Sequence, residues 1–107
     1  MDTAASSWPF EDPPNVYVIT TADILERGEW IRSVFRDEED GCWQFHSRHG
    51  APDDESEARI CSLQHIVNKE PSVAELAELP YGWCAWRERP GAPWQCQPQE
   101  DEQGERD

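Results

Sequence analysis

The stretch that decides the fold spans residues 60–87 and reads ICSLQHIVNKEPSVAELAELPYGWCAWR. Its first half predicts a helix of about two turns, because Ser62 is a helix-capping residue type and apolar residues then follow at helical spacing. These apolar residues are Leu63, Ile66 and Val67. Proline cannot continue a helix, so we expect this helix to end before Pro71.

A second short helix is predicted between Pro71 and Pro80. We expect Ser72 to cap it, with Glu75 three residues later as in a capping box. Its apolar face is formed by Val73, Leu76 and Leu79.

A strand is predicted after a corner at Tyr81 and Gly82. Residues 83–86 read WCAW, and aromatic residues are frequent in strands. We expect Trp86 to be a core residue of this strand. The whole stretch is therefore helix, helix, strand, and it contains no catalytic motif.

The residues before this stretch add a strand, a helix and a hairpin. Residues 16–20 read VYVIT, which predicts an interior strand because apolar residues lie on both faces. Thr21 is expected to cap a helix over residues 22–27, which ends at Gly28. Residues 30–36 alternate as a half-buried strand does, with Ile31, Ser33 and Phe35 on one face.

A hairpin is the firmest topological prediction. The polar run DEEDG at residues 37–41 forms the turn, and residues 42–46 return as a strand with Trp43 and Phe45 on one face. Residues 48–59 are expected to form a long solvated loop, and residues 94–97 a short edge strand. The predicted fold class is α+β: an antiparallel sheet of four or five strands, with two or three short helices packed on one face.

The 107 residues are enough for one domain but not two. We expect an extended N-terminal arm over residues 1–15, a single α+β domain over residues 16–97 and a disordered acidic tail over residues 98–107. Trp8 and Phe10 are exceptions in the arm. We expect them to fold back onto the domain, with a partner-binding hook as the alternative.

The formal net charge is -14, from 23 acidic and 9 basic residues. Such a surface repels nucleic acid and anionic membranes, so we expect neither as a partner and favour a basic protein. The alternative is that the charge serves only solubility. The chain has no signal-peptide pattern and no apolar run of about 20 residues, which predicts a cytoplasmic protein. Its four cysteines, Cys42, Cys61, Cys84 and Cys96, are then expected to be reduced thiols.

No motif for phosphate binding, dinucleotide binding or nucleophilic catalysis is present. The nearest metal pattern is Cys42, His46 and His49 with Cys61 at a distance, but the spacing is not that of a common zinc finger. We therefore expect no catalytic residue, no metal and no cofactor. His65 is expected to face solvent.

One set of residues carries a resemblance to a known family: the run at residues 34–39, Trp43-Gln44-Phe45, and Ile60, Leu63, Ile66, Glu70-Pro71, Leu76, Leu79-Pro80, Gly82 and Trp86-Arg87. Through these residues the chain resembles, over roughly residues 16–94, the bacterial polymorphic-toxin immunity protein family thirty-three, formerly a domain of unknown function. Two features depart from the family pattern. Cys42 stands where the family has glycine, and the loop at residues 46–57 has its own length and composition.

This resemblance implies a non-enzymatic, monomeric immunity protein of the bacterial cytoplasm that neutralises a toxin by stoichiometric binding. Two alternatives remain: a small accessory or regulatory domain with another partner, and a zinc-binding protein. Aromatic residues anchor protein interfaces and acidic rims attract basic partners. The candidate partner-binding residues are Trp30, Asp37, Glu38, Glu39, Asp40, Asp53, Asp54, Glu55 and Trp94.

Overall fold

The fold is built on a single six-stranded sheet. The structure is a computed structural model that describes residues 8–50 and 55–99, and of Glu55 it describes only the backbone. The spatial order of the strands is β4-β1-β3-β2-β5-β6. The strands are β1 (Tyr17–Thr21), β2 (Ile31–Arg36), β3 (Trp43–Ser47), β4 (Ala58–Ser62), β5 (Trp83–Trp86) and β6 (Gln95–Pro98). The helices are α1 (Ala22–Arg27), α2 (Leu63–Lys69) and two 3₁₀ helices, Glu55–Glu57 and Pro71–Leu76.

The α+β class is confirmed, but the sheet is mixed rather than antiparallel. β1 pairs in parallel with β3, and the other four neighbouring pairs are antiparallel. The hairpin explains the difference. α1 carries the chain from β1 past the position of β3 to β2, and the returning strand β3 then fills the gap in the same direction as β1. This long-range pairing leaves no local sequence signal.

The count of four or five strands was too low because β4 falls where we expected the end of a solvated loop. Every residue of β4 has a partner on β1, from Tyr17 opposite Ser62 to Thr21 opposite Ala58. Ile60 is its one large apolar residue, so the segment lacks the pattern of a strand. The expected edge strand near residues 94–97 is confirmed as β6.

The predicted β2–β3 hairpin is confirmed, but one face of β2 was assigned wrongly. The register shifts between Ile31 and Ser33, which marks a β-bulge. Because of this extra residue, Ile31 points inward with Val34, whereas Ser33 and Phe35 lie on the opposite face.

The expectation that Trp86 lies in the core is wrong. Ala85, which is opposite Val34, is the residue of β5 that belongs to the core, and Arg87 after the strand is also buried. Trp86 is therefore on the opposite face, where Arg32 lies 5.7 Å from its ring centre. Trp83 packs against the core instead.

The two α-helices, the Pro71–Leu76 3₁₀ helix and the N-terminal arm pack on one face of the sheet. Ser62 caps α2 as predicted, since its hydroxyl accepts a hydrogen bond from the His65 backbone at 3.1 Å. Ser72 is not a cap: the 3₁₀ helix already begins at Pro71, and the Ser72 hydroxyl donates to Glu70 at 2.6 Å. His65 is exposed, as expected.

The fold-back of the N-terminal arm is confirmed. Phe10 is buried in the core with its ring edge-on to Trp43, and Trp8 packs beside it. At the other end, β6 includes Pro98, where we expected the acidic tail to begin. The remainder of that tail, residues 100–107, lies outside the described residues.

The start of α1 is tied to the end of β3 by the half-buried carboxylate of Asp23. Asp23 accepts hydrogen bonds from the Thr21 hydroxyl and, at 2.6 Å, from the Ser47 hydroxyl. Burial acts to raise the pKa of Asp23, but the hydrogen bonds from Ser47 and Thr21 outweigh it and lower the pKa below its usual value. The ionised carboxylate therefore stabilises the fold.

This lowered pKa predicts a loss of stability in acid. The contribution of Asp23 is present above the ordinary aspartate pKa of about 4 and is lost as the pH falls through the lowered folded pKa. Asp23→Asn should cost about 1 to 3 kcal/mol at pH 7, and its deficit against the wild type should shrink towards pH 2. Urea unfolding at pH 7, 5 and 3 measures this, with Glu75→Gln as an exposed control. A deficit that is constant with pH would contradict the assignment.

Candidate functional site

Arg36 fixes one end of the sheet. Its guanidinium is buried and donates to Gly41 O at 3.3 Å, Leu79 O at 2.9 Å and Asp12 Oδ1 at 3.2 Å. Because a buried charge is costly unless it is paired and hydrogen-bonded, these partners are required rather than incidental.

Two aromatic rings enclose the same guanidinium. It lies 4.7 Å from the ring centre of Trp43 on the core side and 4.5 Å from that of Tyr81. Tyr81 is 51% exposed, so its ring extends the stack to the surface. Gly41 allows this approach, since a Cβ there would lie 2.5 Å from the Tyr81 ring. Tyr81 is thus an exposed aromatic residue whose ring packs on a buried guanidinium.

The acidic turn, Asp37, Glu38, Glu39 and Asp40, is beside Tyr81. Gly41 closes the turn against the Tyr81 ring, and the Cβ of Glu38 faces Gly82. Asp37 accepts a hydrogen bond from the Glu39 backbone at 2.7 Å, and Asp40 accepts one from the Cys42 backbone at 2.9 Å. Within the described residues, none of the four carboxylates has a cationic partner.

The opposite end of the sheet is different, because its carboxylates are neutralised. Four acidic residues there form ion pairs with arginine at 2.7 to 3.2 Å. These pairs are Arg27–Glu57, Arg48–Glu29, Arg59–Glu26 and Arg87–Glu70. The carboxylates of the acidic turn therefore differ from these four in having no cationic partner among the described residues.

Trp30 and Trp94 belong to that opposite end and are half-buried. Their rings lie 5.7 Å and 4.5 Å from the buried guanidinium of Arg87. Whether these tryptophans also contact a partner stays a prediction.

The polar partners of Arg87 complete this second cluster. Its Nε donates to Ile31 O at 3.0 Å, and its Nη1 donates to the Ser72 hydroxyl at 3.3 Å. Its Nη2 lies 3.2 Å from Glu70 Oε1, an ion pair without hydrogen-bond geometry. Burial acts to raise the pKa of Glu70, but Ser72 and Arg87 lower it overall.

The structure does not bring the predicted partner-binding residues together. Trp30 precedes β2 and Asp37 follows it, so the six residues of the strand, about 20 Å, separate them. Asp53 and Asp54 lie outside the described residues, as does the side chain of Glu55. Of the predicted set, only the acidic turn forms a continuous described surface.

Sequence reasoning missed four exposed apolar residues. The sequence predicted only a corner at Tyr81, between Pro80 and Gly82, and nothing in it indicated that the Tyr81 ring packs on Arg36. The other three are Tyr17, Ile19 and Ile60, which lie on the sheet face opposite the helices. β1 is an interior strand as predicted, yet only one of its two apolar faces is covered.

Cys42 and His46, two residues of the candidate metal pattern, are both half-buried. Burial lowers the pKa of His46, whose ring lies 5.2 Å from that of Phe35. The pKa of the Cys42 thiol is raised, mainly by burial and then by the negative charge of Asp40. Among residues 8–50 and 55–99, no three His, Cys, Asp or Glu side chains are grouped so that they could hold a metal ion.

Comparison with known proteins gives no relative: no family model, curated protein or solved structure matches this chain. No helix within the described part of the chain is long and apolar enough to span a membrane.

Arg87 should be the more sensitive of two neighbouring arginines. Arg87→Ala removes the cation that pairs with Glu70 and the side chain that packs against Trp30 and Trp94. The free energy of unfolding should therefore fall by about 3 to 5 kcal/mol. Arg89→Ala, at a position 71% exposed, should change stability by less than about 0.5 kcal/mol. Urea unfolding of both variants is the measurement, and equal effects would show that the Arg87 cluster is not formed.

Proposed function

We propose that this protein is a non-enzymatic immunity protein of the bacterial cytoplasm, which neutralises a basic toxin by binding it stoichiometrically. The observation that carries the proposal is the acidic turn, with its uncompensated carboxylates beside the exposed ring of Tyr81, which packs on Arg36. The resemblance of residues 16–94 to an immunity family supports the same conclusion.

The acidic turn has the electrostatics expected of a surface that captures a basic protein. Charges at the rim of an interface act mainly on the association rate, and salt screens them over about 8 Å at physiological ionic strength. The formal net charge of -14 adds a long-range attraction for the same basic partner.

Tyr81 has the properties of an interface anchor. Tyrosine is enriched among residues that contribute most to binding energy, and such residues work best when they are already ordered before binding. The Arg36 guanidinium, 4.5 Å below the ring, holds Tyr81 in place while half of its surface stays exposed. Little side-chain entropy would be lost when a partner covers it.

The direct experiment is co-expression with the product of the neighbouring open reading frame. If the proposal is right, that product is toxic to bacterial cells on its own, growth is restored by this protein, and the two purify as a one-to-one complex. A neighbour that is harmless alone, or that has no measurable affinity, would overturn the immunity function and leave an accessory or regulatory domain in its place.

Reversal of charge in the acidic turn should slow capture of the toxin. Glu38→Lys with Glu39→Lys should lower the association rate constant about tenfold at low salt and flatten its salt dependence. The control, Glu75→Lys with Glu88→Lys, makes the same change in net charge at two exposed positions outside the turn. Binding kinetics at two salt concentrations measure both. An equal effect of both pairs would assign the steering to net charge alone.

Truncation of Tyr81 should instead speed dissociation. Tyr81→Ala removes the anchor and should weaken binding by about 2 kcal/mol or more, expressed mainly in the dissociation rate. Tyr81→Phe keeps the ring on Arg36 and should bind nearly as wild type does. Thermal unfolding of the uncomplexed variants separates a loss of contact from a loss of fold, and a Tyr81→Ala variant that is stable and binds normally would remove Tyr81 from the interface.

A further inference from the structure

The two edges of the sheet are not equally protected. On β6, the Gln99 backbone donates to Gly82 O at 2.8 Å, so alternation turns the backbone groups of Gln97 towards β5 and those of Cys96 and Pro98 outward. Proline has no N–H to offer, and proline on an edge strand is a common protection against strand pairing. This edge is therefore blunted.

The β4 edge lacks that protection. The Leu63 backbone donates to Val16 O at 2.9 Å, so the groups of Cys61 face β1 and those of Ile60 point outward. Arg59 Nη1 covers one outward carbonyl, Ala58 O, at 3.0 Å. The N–H and C=O of Ile60, at the middle of the strand, have no partner among the described residues.

Apolar side chains adjoin this free backbone. Ile60 is 68% exposed and lies directly opposite Ile19, while Tyr17, 76% exposed, is two residues from Ile19 on the same face. Three of the four large apolar side chains exposed on the described chain are thus gathered at one sheet edge.

We propose that the outer edge of β4 docks an extended segment of a basic protein partner, which adds a seventh strand and places an apolar side chain over Ile60 and Ile19. This inference rests on the proposed function and assigns the toxin a second contact. In such strand addition, main-chain hydrogen bonds supply affinity and side-chain contacts supply specificity.

Charge and area favour this occupant over a second copy of the chain. Two copies that each carry -14 repel one another, whereas a segment flanked by lysine or arginine is attracted. The edge of five residues is about 17 Å long and about 10 Å thick, or about 170 Å², against the roughly 800 Å² that a standard interface buries on each partner. A self-paired edge would fall short, while a toxin gains the remaining area elsewhere, as at the acidic turn.

A peptide tests the edge without the toxin. The probe is the nine-residue peptide Lys-Lys-Val-Thr-Val-Thr-Val-Lys-Lys, titrated into the ¹⁵N-labelled full chain and followed by amide NMR. We expect the amide shifts to change most at Ala58, Ile60 and Ser62, with slower hydrogen exchange at Ile60. The same peptide with glutamate in place of lysine should bind at least about tenfold more weakly because the charges repel.

Two proline variants locate the contact. Ile60→Pro removes an outward N–H without breaking the ladder to β1, and it should weaken peptide binding by about tenfold or more. Cys96→Pro removes the outward N–H on the opposite edge and should leave binding unchanged. Ile60→Thr keeps the backbone N–H, so its effect on peptide binding measures the contribution of the isoleucine side chain alone. The dispersion of the amide spectrum verifies that each variant is folded.

Shift changes centred on the acidic turn or on β6, or equal binding by Ile60→Pro and Cys96→Pro, would overturn the proposal. So would shifts at β4 that depend on protein concentration without peptide, because they would indicate a second copy. Toxin neutralisation separates the two proposals: if Ile60→Pro neutralises the toxin as well as wild type does, the edge is not used and the immunity function stands. If the wild type neutralises nothing, the immunity function fails whatever the peptide shows.

Discussion

Two buried guanidinium groups, each enclosed between two aromatic rings, hold the parts of this fold that have little regular structure. A charge removed from water must be compensated by hydrogen bonds and counter-charges, or the fold loses several kcal/mol. Arg36 meets this requirement with Asp12 and the Leu79 carbonyl, and Arg87 meets it with Glu70 and the Ile31 carbonyl. These partners come from the N-terminal arm, the ends of the helical segments and β2. The arginines thus attach the N-terminal arm and the segments on either side of the Pro71–Leu76 helix to the sheet.

The same arrangement links the core to the surface. Trp43 packs on the core side of Arg36 and Tyr81 on its exposed side, so that core packing determines where the tyrosine ring lies. Core and site are therefore not independent here. A substitution at Arg36 would change stability and Tyr81 placement together, which is why the tests of function use Tyr81 and the acidic turn instead.

The parts of the fold that were predictable are those whose signals are local. The hairpin turn, the capping of α2 by Ser62 and the fold-back of Phe10 each follow from residues within a few positions of one another. The parallel pairing of β1 with β3 and the existence of β4 depend on contacts distant in sequence, and Ile60 alone gives β4 no pattern. The inward face of β5 could not be read either, since the sequence WCAW places one tryptophan and one small residue on each face, and the buried residue that sets the phase is the charged Arg87.

The sequence predicted the acidic turn as a turn. The hydrogen bonds of its side chains show which of its four acidic residues the turn conformation explains and which it does not. Asp37 and Asp40 accept backbone hydrogen bonds, so the conformation of the turn accounts for them. The side chains of Glu38 and Glu39 accept none from the described residues, and four like charges in sequence repel one another at a cost to the folded state. Neither glutamate is required by the hairpin. A surface that attracts a basic partner gives both of them a role, and it is at these two positions, rather than at the aspartates, that binding and folding can be separated by substitution.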